Sequence, residues 1–430
     1  MNIGSFLNDR EKRAEYQKKL IEKYKKPLIV LKANFPGKNK NLPLADNITD
    51  ALSEEIGKLF EKDIIFTESF RNAEGKFFFY ILNGDAYNIK KSAVILEESH
   101  ELGRCADIDV HTSQGNLLSR KDIGNSFRKC FLCNDRAHNC VRSMKHSYEE
   151  LYNFLEEKYR SYIAHKLSTA ALEGLIYEVS CYPSFGLVSP LSTGSHKDMD
   201  FYTFLESGFS IEKAFYQMAR IGYSDTDMDT AFSTAREIGK KAEISMMKIT
   251  GNVNTHRGLI FLMGIVILAS ARNFYSGKNI KKMPELIKEI TKNILDDFKN
   301  IEKKENLTNG EKLYIKYGFT GIRGEVREGL TDIFEDILPF YNGKLKCYDK
   351  NTVCSMTLIK LMSIINDSTI VHRHGMDTLN EVKNRAASLI GVSEQKKLKD
   401  FEKWCIENNI SPGGSADILA VVIFLHRIYY

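Results

Sequence analysis

GLIFLMGIVILASA, residues 258–271, is the longest apolar run in this chain. It is shorter than the roughly 20 residues needed to cross a bilayer, so we interpret it as a buried helix and expect no membrane span. Around it, from about residue 158 to the C-terminus, the sequence is nearly all helical in pattern, and strand-like alternation is hard to find. The larger part of the chain is therefore predicted to be an all-α domain.

The helices of this part are expected to carry their polar residues at their ends and in the connecting loops, as in other helical domains. Helices are predicted over residues 200–207, 210–221, 225–245, 255–274, 284–301, 330–340, 351–365, 377–389 and 415–430.

Composition describes a globular protein. Of the 430 residues, 43% are hydrophobic and 27% are charged, which excludes a disordered chain. The net charge of +5 is small for this length and does not indicate nucleic-acid binding. A charged helix over residues 5–25 begins the chain without an apolar signal region. Together with eight cysteines, this predicts reduced thiols and a cytoplasmic location.

The N-terminal part alternates between strand and helix patterns. A strand is predicted over Pro27–Leu31 and a helix over Ile48–Leu59, followed by strands over Asp63–Phe70 and Lys76–Leu82. Asp85 is expected to cap another helix that runs to about residue 98. This alternation predicts a compact α/β or α+β domain.

The two parts are expected to join inside a helix. Residues 147–181 have a helical pattern, and no Pro- or Gly-rich linker separates the halves. We place the boundary near Lys158, which predicts domains of residues 1–157 and 158–430.

Two carboxylates in the N-terminal part indicate a metal site. Asp107 and Asp109 lie on a predicted strand over Gly103–Val110, and residues two apart on a strand point the same way. A pair of carboxylates on a rigid strand is suited to Mg²⁺ and to transfer at a phosphate. The alternative is two solvent-facing aspartates on an edge strand.

A cysteine-containing stretch follows. Cys130 and Cys133 form a Cys-x-x-Cys motif, with Cys140 and His146 downstream, which is compatible with zinc. The second half of the site is irregularly spaced, and the whole stretch reads as an Arg-rich helix. We therefore favour small packed cysteines beside a basic, phosphate-facing helix and leave zinc open.

Five loops of the C-terminal part repeat the same residue types. Imidazole, cationic, carboxylate and glycine residues recur across these loops in different combinations, and these types suit a hard metal and phosphate oxygens. We expect the loops to converge on one polyphosphate site. They are Ser195–Asp200, Asn254–Gly258, Gly321–Glu325, His372–Gly375 and Ser411–Asp417.

The N-terminal part resembles the apo-citrate lyase phosphoribosyl-dephospho-CoA transferases, nucleotidyltransferases also called citrate lyase holo-acyl-carrier-protein synthases. The similarity covers about residues 20–150. It implies attachment of a phosphoribosyl-dephospho-CoA arm to a serine of the acyl carrier (gamma) subunit, with release of pyrophosphate. It also implies metal binding by Asp107 and Asp109, and triphosphate contacts by Gly103, Arg104 and Arg128. The resemblance rests on Asn34–Asn39, Gly103–Val110, Ser119-Arg120 and Arg128–His146.

The C-terminal part resembles triphosphoribosyl-dephospho-CoA synthase over about residues 165–425. That family joins the ribose of ATP to the 2′-hydroxyl of dephospho-CoA and expels adenine, so Mg²⁺, ATP and dephospho-CoA are implied. Its product is the substrate that the N-terminal part would use. The matching stretches are Glu178–Ser180, Phe185–Val188, Gly194–Asp200, Thr250–Gly258, Tyr317–Glu325, His372-Arg373 and Ile410–Asp417.

This reaction suggests roles for the loop residues. Asp198 and Asp200 are expected to bind metal or to stabilise the developing ribosyl cation, with Glu325 as a further carboxylate. His196 or His256 would transfer a proton. The expected phosphate and nucleotide contacts are Lys197, Asn254, Thr255, Arg257, Gly258, Arg323, Gly324, His372, Arg373, Ser411, Gly413, Gly414 and Asp417.

Other interpretations remain open. His256 is alternatively a helix-capping residue, and His374 a structural one. The His- and Asp-bearing loops also fit a metal-dependent phosphohydrolase of nucleotides, which would release phosphate and no adenine. A third hypothesis is a helical module that binds an acyl carrier protein and has lost catalysis.

Overall fold

A computed structural model shows two compact units, residues 1–162 (unit 1) and 163–430 (unit 2). Lys38, in the stretch Asn34–Asn39, lies outside the described residues, as do the side chains of residues 3–6. The structure describes residues 3–37, 39–125, 127–277, 279–299, 301, 304–305, 307–392 and 394–430.

Unit 1 combines a sheet with helices. Its predicted strands and helices are confirmed, except that the strand expected from Gly103 begins at Ala106, after a 3₁₀ turn. The Asp85 carboxylate accepts a hydrogen bond from the Asn88 amide, as expected for an N-cap. A long helix, α5 (Tyr148–Val179), begins in unit 1 and ends in unit 2. The other elements are α1 (Ile3–Tyr24), β1 (Leu28–Ala33), α2 (Pro43–Leu59), β2 (Ile64–Asn72), β3 (Gly75–Leu82), α3 (Ala86–Ser99), β4 (Ala106–His111), β5 (Leu117–Leu118), α4 (Ala137–Arg142), and 3₁₀ turns at Gly103–Cys105 and Lys121–Ile123.

The sheet of unit 1 is antiparallel, with strand order β2-β3-β1-β4-β5. Leu28 and Val30 of β1 join Phe77 and Phe79 of β3 in an apolar core with Leu20 of α1. Helices α2 and α3 pack against other residues of the sheet. Antiparallel pairing identifies the unit as α+β, one of the two classes left open by the sequence.

The register of β4 against β1 positions the two aspartates. Lys32 pairs with Asp107, and Val30 pairs with Asp109. Directly paired residues share a face of the sheet, so both carboxylates lie on the face that carries Val30. The intervening Ile108 is buried, as the alternation predicted.

The described part of unit 2 is helical, apart from an isolated bridge between Ser189 and Ser192. Its helices are α6 (Phe201–Gly222), α7 (Met228–Ile249), α8 (Arg257–Tyr275), α9 (Met283–Ile290), α10 (Asn309–Tyr317), α11 (Ile322–Arg327), α12 (Leu338–Lys344), α13 (Lys350–Ile364), α14 (Ser368–His374), α15 (Met376–Ala387), α16 (Gln395–Glu407) and α17 (Gly413–Tyr429), with 3₁₀ turns at Ile280–Lys282 and Ile294–Phe298 and a π segment at Ile333–Ile337.

Helix α8 contains the apolar run and forms the centre of unit 2. It packs against α6, α7, α9 and α17, and nearly every residue of the run is buried. By length and composition α8 is apolar enough to cross a bilayer, but 78% of its most apolar 18-residue window is buried inside the protein. The predicted buried helix is confirmed.

Some helix predictions were wrong. The two helices expected over residues 200–221 form one continuous α6, because Gly208 packs against Leu172 and Leu175 inside the unit, and tertiary packing overrides weak helix propensity. The helix expected over 284–301 ends at Ile290. Helices α10, α11, α14 and α16 were not predicted. The helix expected over the cysteine-containing stretch is limited to α4 before α5 begins.

Leu262 tests the packing of α8 because its side chain is fully buried. Leu262→Ala should lower the free energy of unfolding of unit 2 by about 2–5 kcal/mol, since it removes buried methyl groups and leaves a cavity. Leu191→Ala is the matched control, because Leu191 is 73% exposed. Urea unfolding monitored by circular dichroism measures both, and equal effects of the two substitutions would contradict this packing.

Candidate active sites

Asp107 is held between two cations in unit 1. Its Oδ2 lies 3.4 Å from Lys32 Nζ, and its Oδ1 lies 3.6 Å from Arg128 Nη1. The pKa of Asp109 is raised, chiefly by burial and then by the negative charge of Asp107. Two carboxylates this close favour the entry of positive charge between them. The predicted pair and the predicted Arg128 are therefore brought together.

Arginine contacts connect this pair to the cysteine-containing stretch. Arg128 donates hydrogen bonds to the carbonyls of Arg104 (3.2 Å) and Ala106. Arg104 donates in turn to the carbonyls of Lys129 (3.0 Å) and Cys130. Both guanidinium groups are fixed by backbone oxygens, which leaves Arg128 aimed at the carboxylate pair.

Gly103 has a packing role at the start of β4. A Cβ atom there would overlap the carbonyl oxygens of Leu96 and Glu97 at the end of α3. Only glycine allows this close approach of α3 to the turn that precedes the aspartates.

A cleft of about 870 Å³ lies beside the same strand, between α1 and the turn after β4. Gln17 and Ile21 line it on the helix side, and His111 lines it on the strand side. His111 is two residues beyond Asp109, so the cleft opens on the face of β4 that carries the aspartates.

In unit 2, Asp367 connects the first turns of α14 and α17. Its carboxylate accepts hydrogen bonds from the Ser415 amide (2.8 Å), the Ser415 hydroxyl (3.1 Å) and the Thr369 amide (2.9 Å). A Cβ on Gly414 would lie 3.2 Å from the Asp367 carboxyl carbon, and one on Gly413 would lie 3.0 Å from Thr369 Oγ1. The predicted glycines therefore permit a close approach between two helices.

Asp417, on the next turn of α17, lies against α8. A Cβ on Gly258 would overlap Asp417 Oδ2, so this carboxylate contacts the backbone of the first turn of α8. Burial raises the pKa of Asp417 well above its ordinary value, and the charges of Glu178 and Asp367 raise it further. We call Glu178, Asp367 and Asp417 the carboxylate cluster.

The other two members of the carboxylate cluster were not predicted as site residues. Glu178 lies near the end of α5, and burial raises its pKa to about 8. Burial also raises the pKa of Asp367, against the hydrogen bonds from Ser415 and Gly414 that lower it. An acidic residue inside an otherwise apolar helical pattern is the signal that marks Glu178 in the sequence. Asp367 resembles an ordinary helix cap, which it also is.

His196 joins the loop after α5 to the turn before α17. Its Nε2 lies 2.9 Å from Ser411 Oγ, and its Nδ1 lies 3.9 Å from Asp198 Oδ1. Burial lowers the pKa of His196, and the charge of Arg373 lowers it further while Asp198 opposes both. Four predicted residues from three separate loops thus come together.

His256 occupies the N-cap position of α8 without a side-chain capping bond. Its Nδ1 lies 2.6 Å from Ser207 Oγ, which also contacts Thr255 Oγ1 at 2.6 Å. Its Nε2 is buried and has no hydrogen-bond partner. Burial lowers the pKa of His256 to about 3, so the ring is neutral at physiological pH.

Two of the predicted arginines, Arg257 and Arg323, each pair with an acidic residue and both act on Glu243. Arg257 Nε is 3.2 Å from Glu243 Oε2, and Arg323 Nε is 3.1 Å from Asp297 Oδ2. The charge of Arg323 also lowers the pKa of Glu243, although burial raises it overall. A cleft between α7 and α8 is lined by Glu243 and Arg323. The carbonyl oxygen of the Asn254 side chain accepts a bond from the Arg257 amide (3.2 Å).

Other predicted residues have local contacts. Asp200 caps α6, and its Oδ1 accepts hydrogen bonds from the Thr203 amide (2.9 Å) and hydroxyl (2.8 Å). Burial raises the pKa of Glu325, as does the charge of Asp332. A Cβ on Gly324 would overlap the Thr320 side chain. Lys197 and His372 are exposed, and His374 Nε2 contacts the Asn409 carbonyl oxygen at 3.0 Å.

Gly258→Ala tests the contact between α8 and Asp417. We expect it to lower the free energy of unfolding of unit 2 by about 1–3 kcal/mol, because the new Cβ displaces the half-buried Asp417 carboxylate. Gly343→Ala is the matched control, since nothing lies within 4 Å of a Cβ there and alanine favours its helix. Destabilisation by Gly343→Ala equal to that by Gly258→Ala, measured by urea unfolding, would contradict the contact.

His256 predicts a pH dependence of stability. Between pH 6.5 and about 3 the unfolded chain binds a proton at this position and the folded chain does not. The contribution of the neutral His256 to the free energy of unfolding is therefore fully present above about pH 6.5. Below that pH the free energy of unfolding falls by up to about 1.4 kcal/mol per pH unit. His256→Gln should reduce this slope in unfolding measurements from pH 7 to pH 5. Identical slopes for both proteins would contradict a buried, neutral imidazole.

Comparison with known families matches both units. Residues 1–162 match the family described as apo-citrate lyase phosphoribosyl-dephospho-CoA transferase. Residues 164–429 match the family described as ATP:dephospho-CoA triphosphoribosyl transferase.

Curated relatives match the whole chain or a large part of it. The chain is 31% identical to Protein CitXG of Leuconostoc mesenteroides subsp. cremoris, over all of this chain and 97% of the relative. It is 32% identical to Protein CitXG of Haemophilus influenzae, over 99% of this chain and 96% of the relative. It is also 32% identical to the 2-(5''-triphosphoribosyl)-3'-dephosphocoenzyme-A synthase of Haemophilus ducreyi, over 70% of this chain and all of that protein. The chain therefore belongs to the family of fused citrate lyase prosthetic-group transferases.

Proposed function

We propose that this bifunctional enzyme makes and installs the prosthetic group of citrate lyase. Unit 2 converts ATP and dephospho-CoA into 2′-(5″-triphosphoribosyl)-3′-dephospho-CoA and releases adenine. Unit 1 transfers the phosphoribosyl-dephospho-CoA arm to a serine of the acyl carrier (gamma) subunit and releases pyrophosphate. The observation that carries the proposal is the carboxylate cluster beside the first turns of α8 and α17.

The carboxylate cluster suits a reaction that develops positive charge on ribose. The bond from C1′ to adenine breaks as C1′ bonds to the 2′-oxygen of dephospho-CoA. Positive charge entering the cluster favours the ionised form of Asp417, which then stabilises the ribosyl cation. Glu178, with a pKa of about 8, retains a proton near neutral pH and donates it to the departing adenine.

His196 is the proposed base of this step. Its lowered pKa keeps the ring neutral, and the Ser411 hydroxyl and Asp198 orient it. It accepts the proton of the 2′-hydroxyl as the new bond forms. His256, which is fully buried beside Ser207, positions the first turn of α8.

The phosphates are proposed to bind at the helix termini and the arginines. The backbone amide of Gly413 lies at the first position of α17, where the helix dipole favours anions, whereas the Gly414 amide donates to Asp367. Arg373, Arg257 and Arg323 add positive charge from three other segments. The further contacts expected from the sequence are Lys197, Asn254, Thr255, Gly258, Gly324, His372, Ser411 and Asp417.

The residues present fit Mg²⁺ in both units. In unit 2, burial raises the pKa of each acid of the carboxylate cluster, and the charges of Glu178 and Asp367 raise that of Asp417 further. A divalent cation would relieve both effects. In unit 1, Asp107 and Asp109 provide a pair of hard oxygen donors. When bound, Mg²⁺ would neutralise phosphate charge. Asp198, Asp200 and Glu325 stay candidates for a cation that enters with the triphosphate.

Unit 1 is proposed to act in the manner of a nucleotidyltransferase. A serine hydroxyl of the carrier protein attacks phosphorus, and pyrophosphate leaves. Asp109, whose pKa is raised, accepts the serine proton, while Lys32 and Arg128 stabilise charge on the phosphate oxygens. The adjacent cleft beside His111 has the size of a ligand pocket.

We assign the two activities to residues 1–157 and 158–430. The partner is the acyl carrier subunit, and the other ligands are small nucleotides, with no role for nucleic acid or membrane. Eight free cysteines support a reducing, cytoplasmic location.

One incubation tests the proposal. The purified chain is mixed with ATP, Mg²⁺ and dephospho-CoA, and products are followed by mass spectrometry before and after addition of apo acyl carrier subunit. We expect adenine and triphosphoribosyl-dephospho-CoA first, and modified carrier protein afterwards. Phosphate release without adenine would instead indicate a nucleotide phosphohydrolase, and binding of the carrier without turnover would indicate an inactive module.

Single carboxamide substitutions separate the two sites. Asp417→Asn should slow adenine release by about 100-fold or more, because the ribosyl cation loses a charged neighbour. It should spare carrier modification when triphosphoribosyl-dephospho-CoA is supplied. Asp107→Asn should slow carrier modification and leave adenine release unchanged. The exposed Asp225→Asn is the matched control. Equal loss of both steps in either site variant would count against two independent sites.

A further inference from the structure

The cysteine-containing stretch folds into a small hairpin, residues 128–137, which we call the cysteine hairpin. Lys129 and Arg136 form an antiparallel bridge. The Cys130 amide donates to the Asp135 carbonyl at 2.8 Å, and the Ala137 amide donates to the Arg128 carbonyl at 2.9 Å. Cys130 and Cys133 therefore lie at the base and in the turn of a tight loop.

The segment after the hairpin places two more potential metal ligands, Cys140 and His146, near Cys130 and Cys133. Helix α4 carries Cys140, and the Lys145 amide donates to the Cys140 carbonyl at 3.1 Å. This turn brings in His146, directly before Ser147, which caps the first turn of α5 through the Glu150 amide. The four residues have the spacing Cys-x₂-Cys-x₆-Cys-x₅-His.

The geometry is that of a tetrahedral ligand set. One ligand atom from each of the four residues lies within 4.8 Å of all the others. The Cys133 and Cys140 sulfur atoms are 3.5 Å apart. Bonds of about 2.3 Å from zinc to sulfur put tetrahedral ligand atoms about 3.8 Å apart, so a zinc ion fits with small side-chain movements.

The low apolar burial of residues 119–147 also favours a bound metal. Among the described residues from 119 to 147, only Cys130 and Cys140 are buried. A segment with so little apolar burial needs another source of stability. In addition, His146 Nε2 is buried without a hydrogen-bond partner, which is costly for a ring nitrogen unless a metal or another group accepts its lone pair.

We propose that unit 1 binds one structural Zn²⁺ ion through four side chains, Cys130, Cys133, Cys140 and His146. A closed set of three thiolates and one imidazole is typical of structural zinc, and no ligand position remains for a substrate. The metal would replace the missing apolar core of the segment.

The site has a consequence for the aspartate pair, and this consequence rests on the proposed function of unit 1. Arg128 is two residues before Cys130, and Arg104 donates to the Lys129 and Cys130 carbonyls. Zinc would hold the loop that places Arg128 beside Asp107. Arg128 would then be positioned by a metal that takes no part in the reaction.

Metal content of the full-length chain tests the site directly. Protein purified under reducing conditions without chelator should contain about one zinc ion per chain by inductively coupled plasma mass spectrometry. Cys133→Ser should reduce bound zinc by about ten-fold or more. Cys347→Ser is the matched control, because Cys347 is an exposed free cysteine in unit 2. Wild-type zinc content in Cys133→Ser would overturn the assignment.

A second measurement does not depend on a variant that folds. Wild-type protein is stripped of metal under reducing conditions and reconstituted with Co²⁺. We expect tetrahedral d–d bands and thiolate-to-cobalt charge-transfer bands, both displaced by one equivalent of Zn²⁺. Absence of these bands, or a Cys133–Cys140 disulfide as the only state of freshly purified protein, would overturn the proposal.

The positioning role has its own readout. Zinc removal should reduce carrier modification while adenine release stays unchanged, since the proposed zinc site lies in unit 1. Loss of the metal without loss of carrier modification would refute the positioning of Arg128 and leave the zinc site standing. A chain with full zinc but no transferase activity would refute the proposed function and leave the zinc site standing.

Discussion

The contact between the Asp417 carboxylate and the backbone of Gly258 is the constraint on which the organisation of unit 2 depends. It fixes α17 against α8 with no room for a side chain at the glycine. Burying carboxylates is costly unless positive charge or amide donors compensate them. Asp367 receives amide donors from two helices, whereas the raised pKa values of Asp417 and Glu178 show that negative charge there is disfavoured. Such a site favours the arrival of positive charge, which a ribosyl transfer provides.

Unit 1 also places two carboxylates close together, in this case on a β-strand. Asp107 and Asp109 share one face of β4, and the charge of the first raises the pKa of the second. Lys32 and Arg128 lie beside Asp107, so the acidic pair sits in a basic surrounding suited to phosphate. In unit 1, cations from other segments lie beside Asp107, and in unit 2, backbone amides of α14 and α17 donate to Asp367.

Much of this was predictable from local sequence. Strand alternation placed Asp107 and Asp109 on one face, and the apolar run identified α8 as a buried helix, because period and composition are local properties. Glu178 was missed because burial depends on neighbours that are distant in sequence. Asp200 was predicted as a metal ligand, but it caps α6. The sequence does not separate these two roles, because aspartate serves in both. The cysteine hairpin was wrongly predicted to be helical, because its bridge between Lys129 and Arg136 and the approach of its four ligands form only on folding.

In the proposed function, separate loops of unit 2 form one pocket that holds ATP by its phosphates and places its ribose beside the carboxylate cluster. A crystal structure of the chain with ATP and Mn²⁺ tests this most directly. We predict triphosphate density at the first turn of α17, an anomalous Mn²⁺ peak within reach of the phosphates, and ribose C1′ facing Asp417. Nucleotide bound on another face of unit 2, with neither Gly414 nor Asp417 in contact, would contradict the account.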